Sequence, residues 1–564
     1  MKKFFGLAAP SFLLIALAAP VHPQRSGTAL PMRGSDPFRI ELGSSFSAGA
    51  ASTRPIGLPA TPESSRDRII GDLEEALQII RQNQTGRKMS SAELTKSAIS
   101  SMLRTLDPHS SYFDASEYRD LLDEERSEYS GIGSTIVNYK QNGTLETYVI
   151  ATYANGAAAL AGLRYGDKIV AVDGVPMSGL SSDSVRDKIR GPNGSIVRVT
   201  IEHAASGRTD IVGLRRALIP QPTVSDAFML RAGIGYIDLT NGFNYTTSDE
   251  VDNALRQMHR EGMTSLILDL RGNPGGILEQ AVKVAEKFLP AGNLIVSQRG
   301  RYSFDNHVWK SANRNPENLP LILLVDSNSA SASEVVAGAL QDHDRALIIG
   351  EKTFGKGLVQ SVLNLPAGAG LTLTTARYYT PSGRSIQRDY SNGSSYDYYN
   401  HKLALSDSDR ARTTVRTDAK RQVFGGDGIL PDEVVKSDVL SASETELLDG
   451  LFQFSIEAAY GRVPGFEINN AGSTRIRTTA FGTAEEGSNA VQKFLEFASS
   501  QVGFDVSLIG KYAPFIETRI RYNQITAKKG ASAANRVLLE HDTQIAKALS
   551  SLPQANQLAR ASRR

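Results

Sequence analysis

Residues 323–334 read LLVDSNSASASE, and this stretch decides how the middle of the chain folds. Apolar residues end in a turn of small polar residues, after which Val335, Val336 and Leu340 continue in a helical pattern. A buried strand that leads through a sharp turn into a helix is typical of an α/β sheet. Such a turn can present a serine as a nucleophile, although a serine at a helix start is more often only an N-cap.

The alternation of strands and helices extends to both sides of this stretch, from residue 232 to residue 380. Apolar runs predict strands at 235–239, 265–270, 321–325, 346–349, 358–364 and 371–378, and helical spacing predicts helices at 247–261, 277–289 and 331–341. This pattern predicts an α/β core with helices covering a buried sheet.

A second notable stretch, DLRGNPGG at residues 269–276, follows one of these predicted strands. The carboxyl ends of strands in α/β sheets are where sites are built. Gly272, Gly275 and Gly276 allow backbone geometries that expose N–H groups, which an anion or an oxyanion needs. The alternative is an ordinary turn of glycine and proline.

A serine nucleophile needs a base, and none of the eight histidines lies in a recognisable serine-hydrolase context. Lys356, in TFGKGLVQ at 353–360, follows an apolar strand and lies between two glycines. Burial there would lower the pKa of its ammonium group and make the neutral amine available as a base. The stretch GEKTFGKG at 350–357 resembles a phosphate-binding loop, but it lacks the metal-binding hydroxyl and precedes a strand.

The composition of the 564-residue chain narrows the chemistry further. It has no cysteine, which excludes thiol nucleophiles, disulfides, thiolate zinc sites and iron–sulfur clusters. With 62 Lys plus Arg against 60 Asp plus Glu, the net charge of +2 does not suggest a nucleic-acid binder. We expect no cofactor and no metal.

The amino terminus has the pattern of a secretory signal. Two lysines precede an apolar run at 4–19 that ends in small residues, and this run is short for a membrane span. We therefore predict a signal peptide at 1–19 and an exported protein of bacterial type, periplasmic or in the cell envelope. The alternative is an uncleaved anchor that associates the protein with a membrane. Residues 20–66, rich in Pro, Ser, Gly and Ala, predict a disordered leader.

The remaining segments predict further units around the core. Helical spacing predicts an N-terminal helical unit at 67–128, and short strands between glycines predict a β-rich unit at 129–215. The core is placed at 216–435, with an inserted surface loop at 388–424. A helical C-terminal extension at 436–564 includes a capping box at 443–446 and a helix from Val537 to Leu552. These terminal helices are either structural or an oligomer contact.

Several motifs, weak singly but in one order, resemble those of the carboxyl-terminal processing peptidases, the tail-specific serine proteases of family S41. The motifs are DPHSSY at 107–112, GIG at 131–133, DLRGNPGG at 269–276, SASASE at 329–334, FGKGLVQ at 354–360, YTPSGR at 379–384 and GILPD at 428–432. The resemblance implies a PDZ domain at 129–215, inserted between the helical unit and an S41 peptidase core of α/β (α+β) class.

The resemblance also assigns roles to individual residues. It implies Ser331 as nucleophile, Lys356 as general base and Gln360 as the residue that orients the lysine. It implies an oxyanion hole from the N–H of Ala332 and of Gly275 or Gly276. In the PDZ domain it implies a carboxylate-binding loop of Gly131, Ile132 and Gly133. Asp342 matches an acidic position of some members, but an aspartate at a helix end is more often structural.

The sequence therefore predicts an exported Ser–Lys endopeptidase that recognises protein or peptide substrates by their exposed C-termini. One alternative is a catalytically silent peptide-binding scaffold of the same fold. Another is a serine hydrolase with a histidine base, for example His343. The resemblance leaves a homodimer through the terminal helices and an adaptor open.

Overall fold

The computed structural model describes residues 65–86, 89–125, 128–141, 143–153, 155–391, 398, 413–466, 468, 484–500 and 505–561. The predicted signal peptide, the leader up to residue 64, and residues 392–397 and 399–412 of the predicted surface loop lie outside the described residues. The predicted fold class is confirmed: helices and sheets are mixed, and the β-rich unit precedes the core, which is followed by helices.

The elements are numbered along the chain. The described helices are α1 (Ser65–Asn83), α2 (Ser91–Arg104), α3 (Ala115–Glu125), α4 (Ala157–Leu160), α5 (Ser182–Ile189), α6 (Thr247–Arg260), α7 (Leu278–Glu286), α8 (Ala332–Asp342), α9 (Ala442–Ala459), α10 (Ala484–Ser499), α11 (Ser507–Lys511), α12 (Ala513–Lys529), α13 (Ala531–Leu539) and α14 (Thr543–Ala561). The strands are β1 (Ser111–Phe113), β2 (Glu128–Gly131), β3 (Ser134–Gln141), β4 (Thr144–Thr152), β5 (Lys168–Val172), β6 (Val175–Pro176), β7 (Ile196–Glu202), β8 (Thr209–Arg215), β9 (Ala217–Pro220), β10 (Asp226–Arg231), β11 (Ile234–Asp238), β12 (Ser265–Asp269), β13 (Leu294–Gly300), β14 (His307–Lys310), β15 (Leu321–Val325), β16 (Leu347–Gly350), β17 (Leu358–Asn364), β18 (Gly370–Tyr379), β19 (Thr414–Arg416), β20 (Gln422–Phe424) and β21 (Glu433–Val434).

The centre of the core is a six-stranded sheet in the order β10-β11-β12-β15-β16-β21. All neighbouring pairs are parallel except β10 with β11. Helices α6, α7 and α8 pack on one face, and alternate strand residues on the other face pack against α14. The strands are apolar throughout because both faces of the sheet are buried.

A second sheet connects the core to the N-terminal unit. Its order is β1-β18-β13-β14, and β17 also pairs with β18. Strand β1 pairs antiparallel with β18 and places Ser111 opposite Thr372. The segment before β1 is thereby held beside β17, the strand that carries Gln360.

The β-rich unit is a sheet in the order β3-β4-β5-β7-β8, with β6 added to β5. One face of this sheet packs with α5 to form the core of the unit, which contains Val185 and Ile189. The opposite face packs against the C-terminal helices, where Tyr148 and Tyr165 meet Phe454 of α9. Strand β9 pairs with β2, so the strand pairing of this unit reaches past residue 215.

Most of the elements predicted for the core are confirmed, and β15 and β17 have the predicted limits. The predicted continuous helix from Val537 to Leu552 is wrong. Helix α13 ends at Leu539, and the Asp542 carboxylate accepts the N–H groups of Gln544 and Ile545 at 2.8 and 3.0 Å, so α14 begins there. The capping box of α9 is formed by Ser441 and Glu444 instead of residues 443–446.

Candidate active site

Two loops meet at the carboxyl end of the central sheet because the strands before them are parallel neighbours. Asp269 at the end of β12 lies opposite Leu324 of β15. The Gly272 N–H donates to Asp326 Oδ1 at 2.9 Å, and the Ala330 N–H donates to the Asn273 carbonyl at 3.0 Å. The glycine loop at 269–276 is thus hydrogen-bonded to the turn that leads into α8.

Ser331, the predicted nucleophile, is the residue immediately before α8. Its φ of 55° and ψ of −112° lie outside the regions that L-residues ordinarily adopt. Such a conformation costs about 1–3 kcal/mol and is found where the surrounding structure enforces it. The chain makes a sharp strand-to-helix turn here that presents a partly exposed serine at a helix N-terminus.

The glycine loop packs directly against this turn. A Cβ on Gly275, whose φ is +98°, would lie 2.8 Å from Ser331 Cβ, so a larger residue does not fit. The Gly275 N–H donates to Asn273 Oδ1 at 2.9 Å. By contrast, the N–H groups of Gly276 and Ala332 donate to no residue that the structure describes. Of the two glycines left open by the sequence, Gly276 therefore has the available donor.

The buried carboxylate of Glu334 joins the serine turn to the lysine loop. Its Oε2 accepts the N–H of Ser331 at 2.9 Å and the N–H of Lys356 at 2.8 Å. Its Oε1 accepts the Gly355 N–H at 2.7 Å and the Thr353 hydroxyl at 2.6 Å. Burial raises the pKa of Glu334, and the four donors oppose this shift because they stabilise the ionised form.

Lys356, the predicted base, is partly buried. Burial lowers the pKa of its ammonium group, while the carboxylates of Glu334 and Asp107 act in the opposite direction. No hydrogen bond joins Lys356 Nζ to Ser331 Oγ within the described residues. Catalytic hydrogen bonds commonly tighten only when substrate is bound.

Gln360 lies on β17, four residues after the lysine, and its amide contacts the N-terminal unit. Gln360 Nε2 donates to the carbonyl oxygen of His109. This contact orients the amide so that Oε1 is left as the acceptor for a neighbouring donor. The His109 ring contacts the Tyr398 hydroxyl at 2.8 Å, and burial together with Lys356 and Arg388 lowers the pKa of His109 to about 2.

The structure separates two other residues considered from the sequence. His343 caps the C-terminal end of α8, whereas Ser331 lies at its N-terminal end. Since His343 comes 12 residues after Ser331, the two Cα atoms are about 18 Å apart along the helix, and the hypothesis that His343 is the base is wrong. Asp342 forms a buried ion pair with Arg384 at 2.8 Å and accepts the N–H of Ser382, so it fixes the turn at 379–384.

In the β-rich unit, residues 131–133 link β2 to β3 and are all buried. Gly133 has a φ of +73°. In the described part of the chain, neither the Ile132 N–H nor the Gly133 N–H donates a hydrogen bond. Strand β3 pairs with β4 on one side, and its other edge has no partner strand among the described residues. Consecutive free N–H groups beside an open strand edge can bind a carboxylate and an extended peptide.

Comparison with known proteins identifies the family. The model of peptidase family S41 matches residues 233–398, and that of the PDZ domain matches residues 148–203. A carboxy-terminal-processing protease of Bartonella bacilliformis is 38% identical over 299 residues, which are 52% of this chain and 67% of that protein. A carboxyl-terminal-processing protease of Synechocystis sp. is 34% identical over 393 residues, 68% of this chain and 81% of that protein. The chain belongs to peptidase family S41.

The protein is accordingly a C-terminal processing serine protease with a PDZ domain ahead of its S41 core. One solved structure, a photosystem II D1 C-terminal processing protease, is 29% identical, with 65% of this chain and 86% of that chain covered and a TM-score of 0.35. The relatives named above are bacterial. No helix in the described ranges is long and apolar enough to cross a membrane.

Sequence reasoning missed several residues of this S41 site. Glu334 was assigned no role from the sequence, although its position three residues after Ser331 is that of a capping-box residue, which accepts the N–H of the N-cap. Asn273, fully buried, joins the glycine loop to β11 through Leu239 and to the serine turn through Ala330. The His109 carbonyl has no sequence signal as an acceptor, because backbone groups are the same in every residue.

We expect Glu334→Gln to destabilise the core by about 3 kcal/mol, because an amide nitrogen would face N–H donors that now meet a carboxylate oxygen. Thermal unfolding and peptide cleavage measure the two consequences, and activity should fall together with stability. Glu351→Gln is the matched control, since among the described residues Glu351 accepts a single hydrogen bond, from the Ser437 N–H at the surface. Equal behaviour of the two variants would contradict the role given to Glu334.

Proposed function

We propose that this S41 protease cleaves peptide bonds with a Ser–Lys dyad, with Ser331 as nucleophile and Lys356 as general base. The observation that carries the proposal is the pair of hydrogen bonds from the N–H groups of Ser331 and Lys356 to one oxygen of Glu334. Two residues from separate loops that share one acceptor atom are held side by side. The lowered pKa of Lys356 supplies the neutral amine that a base requires.

The reaction follows from these positions. Lys356 Nζ accepts the Ser331 hydroxyl proton as Oγ attacks the scissile carbonyl carbon, and the carbonyl oxygen becomes an oxyanion. The N–H groups of Gly276 and Ala332 donate to this oxyanion. The lysine ammonium then protonates the leaving amine and an acyl-enzyme ester remains. Lys356 next accepts a proton from water as its oxygen attacks the ester, and the ammonium returns this proton to Ser331 Oγ when the bond from Oγ to the acyl carbon breaks and the acid leaves. Gln360 Oε1 orients the amine.

We expect both Ser331→Ala and Lys356→Arg to lower kcat at least roughly 10³-fold, because one lacks the nucleophile and the other holds a permanent positive charge. In the wild type, kcat/KM should rise with pH as Lys356 loses its proton, with the limb below the ordinary lysine pKa of about 10.4. Digestion of a fluorogenic peptide from pH 5 to 10 measures both effects.

The control for the pH limb is Asp107→Asn. The Asp107 carboxylate raises the pKa of Lys356, so its removal should move the limb to lower pH. Full activity of Lys356→Arg would contradict a lysine base, and a single limb near pH ~6.5 would favour histidine. Cleavage by Ser331→Ala at the wild-type rate would remove Ser331 from the mechanism, and an inactive wild type would favour the scaffold alternative.

We also propose that the PDZ domain recognises the C-terminal tails of substrates. The terminal carboxylate would accept hydrogen bonds from the free N–H groups of Ile132 and Gly133, and the tail would add a strand to the open edge of β3.

The limits proposed for the units are 67–128 for the helical unit, 129–215 for the PDZ domain, 216–435 for the peptidase core and 436–564 for the extension.

We expect Gly133→Ala to raise KM roughly 10-fold for peptides with a free C-terminal carboxylate and to leave amidated peptides unaffected. The added Cβ would be strained by the positive φ and would lie 3.3 Å from Gly156 Cα. Gly143→Ala is the matched control, because Gly143 has a φ of +81° but open space around its Cα. Equal KM values for free and amidated peptides with the wild type would contradict tail recognition.

The proposed location is outside the cytoplasm, in the periplasm or cell envelope, after cleavage of residues 1–19.

We also propose a homodimer through the terminal helices. Helix α1 exposes Ile69, Ile70, Leu73, Ile79 and Ile80, an apolar surface that association would bury. Native mass spectrometry of the protein from its own host should show a dimer of subunits that lack the signal peptide. A monomer with residues 1–19 still attached would contradict both proposals and favour a membrane anchor. An added partner mass would indicate an adaptor.

A further inference from the structure

Helix α14 of the C-terminal extension reaches the glycine loop of the active site. Its fully buried Gln544 and its capping residue Asp542 both contact Arg271, which lies two residues after β12. Arg271 Nη1 donates to Asp542 Oδ2 at 2.6 Å and to Gln544 Oε1 at 2.9 Å. No local pattern in the sequence indicates this contact, because the partners are 271 and 273 residues apart.

Hydrogen bonds to Asp269 hold the other side of the Arg271 guanidinium. Nε donates to both carboxylate oxygens of Asp269 at 2.9 and 3.0 Å, and Nη2 donates to Asp269 Oδ2 at 2.6 Å. Asp269 in turn accepts the Tyr236 hydroxyl at 2.8 Å. Burial would lower the pKa of Arg271, but Asp269 and Asp542 raise it, so the arginine remains charged. The guanidinium is thus held in one orientation between the sheet and α14.

The two acceptors of this contact, Asp542 and Gln544, are themselves held in place by further hydrogen bonds. Asp542 Oδ1 caps α14 through the N–H groups of Gln544 and Ile545, and Gln544 Nε2 donates to the Val435 carbonyl at 2.8 Å. Helix α14 is packed on the central sheet through Ile545 and Ala548. A guanidinium clamped to such a helix restricts the backbone on both sides of it.

The backbone that follows Arg271 carries the donor of the proposed oxyanion hole. Gly272 and Asn273 are hydrogen-bonded to the serine turn, and Gly276 comes three residues later. An oxyanion donor is effective only when it is already aimed at the position that the negative charge will occupy. Conformational freedom of the backbone at the start of the glycine loop therefore weakens stabilisation of the transition state more than it weakens binding of the substrate.

We propose that Asp542 and Gln544 are positioning residues for catalysis, acting through Arg271 to hold the glycine loop in its oxyanion-binding conformation. The C-terminal extension is thereby part of the catalytic machinery of this protease and not only a cover for the sheet. The inference rests on the proposed roles of Ser331 and Gly276.

The test compares Asp542→Asn with a matched control at a different contact between the extension and the core. An asparagine has one side-chain oxygen, so it cannot both cap α14 and accept from Arg271 Nη1. The control is Asp226→Asn, which breaks the ion pair of Asp226 with Arg536 at 2.6 Å, another contact between the extension and the core. Gln544→Leu is a second variant that removes the other acceptor while keeping the size of the side chain.

We expect Asp542→Asn and Gln544→Leu each to lower kcat roughly 10-fold and to leave KM within about twofold of the wild type. Removal of one oxyanion donor lowers kcat roughly 10²–10³-fold, and in these variants the donor is present but held less firmly. A peptide aldehyde, whose adduct with serine presents an oxyanion, should lose affinity by the same factor, whereas the matching peptide alcohol should not. Asp226→Asn should retain the wild-type kcat and aldehyde affinity.

The inference is overturned if kcat and the aldehyde-to-alcohol affinity ratio of both α14 variants equal those of the wild type. It is also overturned if Asp226→Asn loses kcat to the same extent, because the effect would then be general loosening of the fold. Ser331→Ala separates this result from the proposed function. An active Ser331→Ala overturns the dyad, whereas an inactive Ser331→Ala beside unaffected α14 variants overturns only the positioning role.

Discussion

The carboxylate of Glu334 is the interaction on which the rest of the site depends. It is fully buried, and its two oxygens accept hydrogen bonds from Ser331, Thr353, Gly355 and Lys356. A buried charge is tolerated only when donors replace the water that it has lost, and here three of the four donors are backbone N–H groups. Because Glu334 is anchored on the first turn of α8, the serine turn and the lysine loop are held against the same rigid element.

This arrangement is possible because three segments of the site leave the central sheet at one edge. Strands β12, β15 and β16 are parallel neighbours, so the glycine loop, the serine turn and the lysine loop all begin at their carboxyl ends. The conformation of Ser331 is strained, and hydrogen bonds from both neighbouring loops sustain it. Strand β17 of the second sheet adds Gln360, whose amide donates to the His109 carbonyl just before β1.

The C-terminal extension has contacts in two directions. Helices α9, α10 and α12 pack on the outer face of the PDZ domain, and α14 covers the face of the central sheet that α6, α7 and α8 leave open. The clusters around Phe454 and Ile545 are both buried and apolar, so the extension contributes to the hydrophobic burial of both units. Its ionic contact at Arg271 lies where the second cluster approaches the glycine loop.

The sequence by itself determined the order of the units, the alternation of the core and the candidate Ser331, Lys356 and Gln360, because these depend on local periodicity and on motifs in a fixed order. It also predicted β15 and β17 to the residue, and β15 is an uninterrupted run of five apolar residues. The break between α13 and α14 was missed because Asp542, though a good N-cap residue, lies inside a pattern of continuous helical spacing.

Only the tertiary structure decided which of the two glycines has a free N–H, that His343 lies at the wrong end of α8, and that Glu334 and Asp542 reach the site. Each of these depends on which backbone groups already have partners, and on contacts between residues far apart in the chain. A hydrogen bond such as that of Arg271 with Asp542 joins residues 271 positions apart, and no local pattern of residue types encodes such a distance.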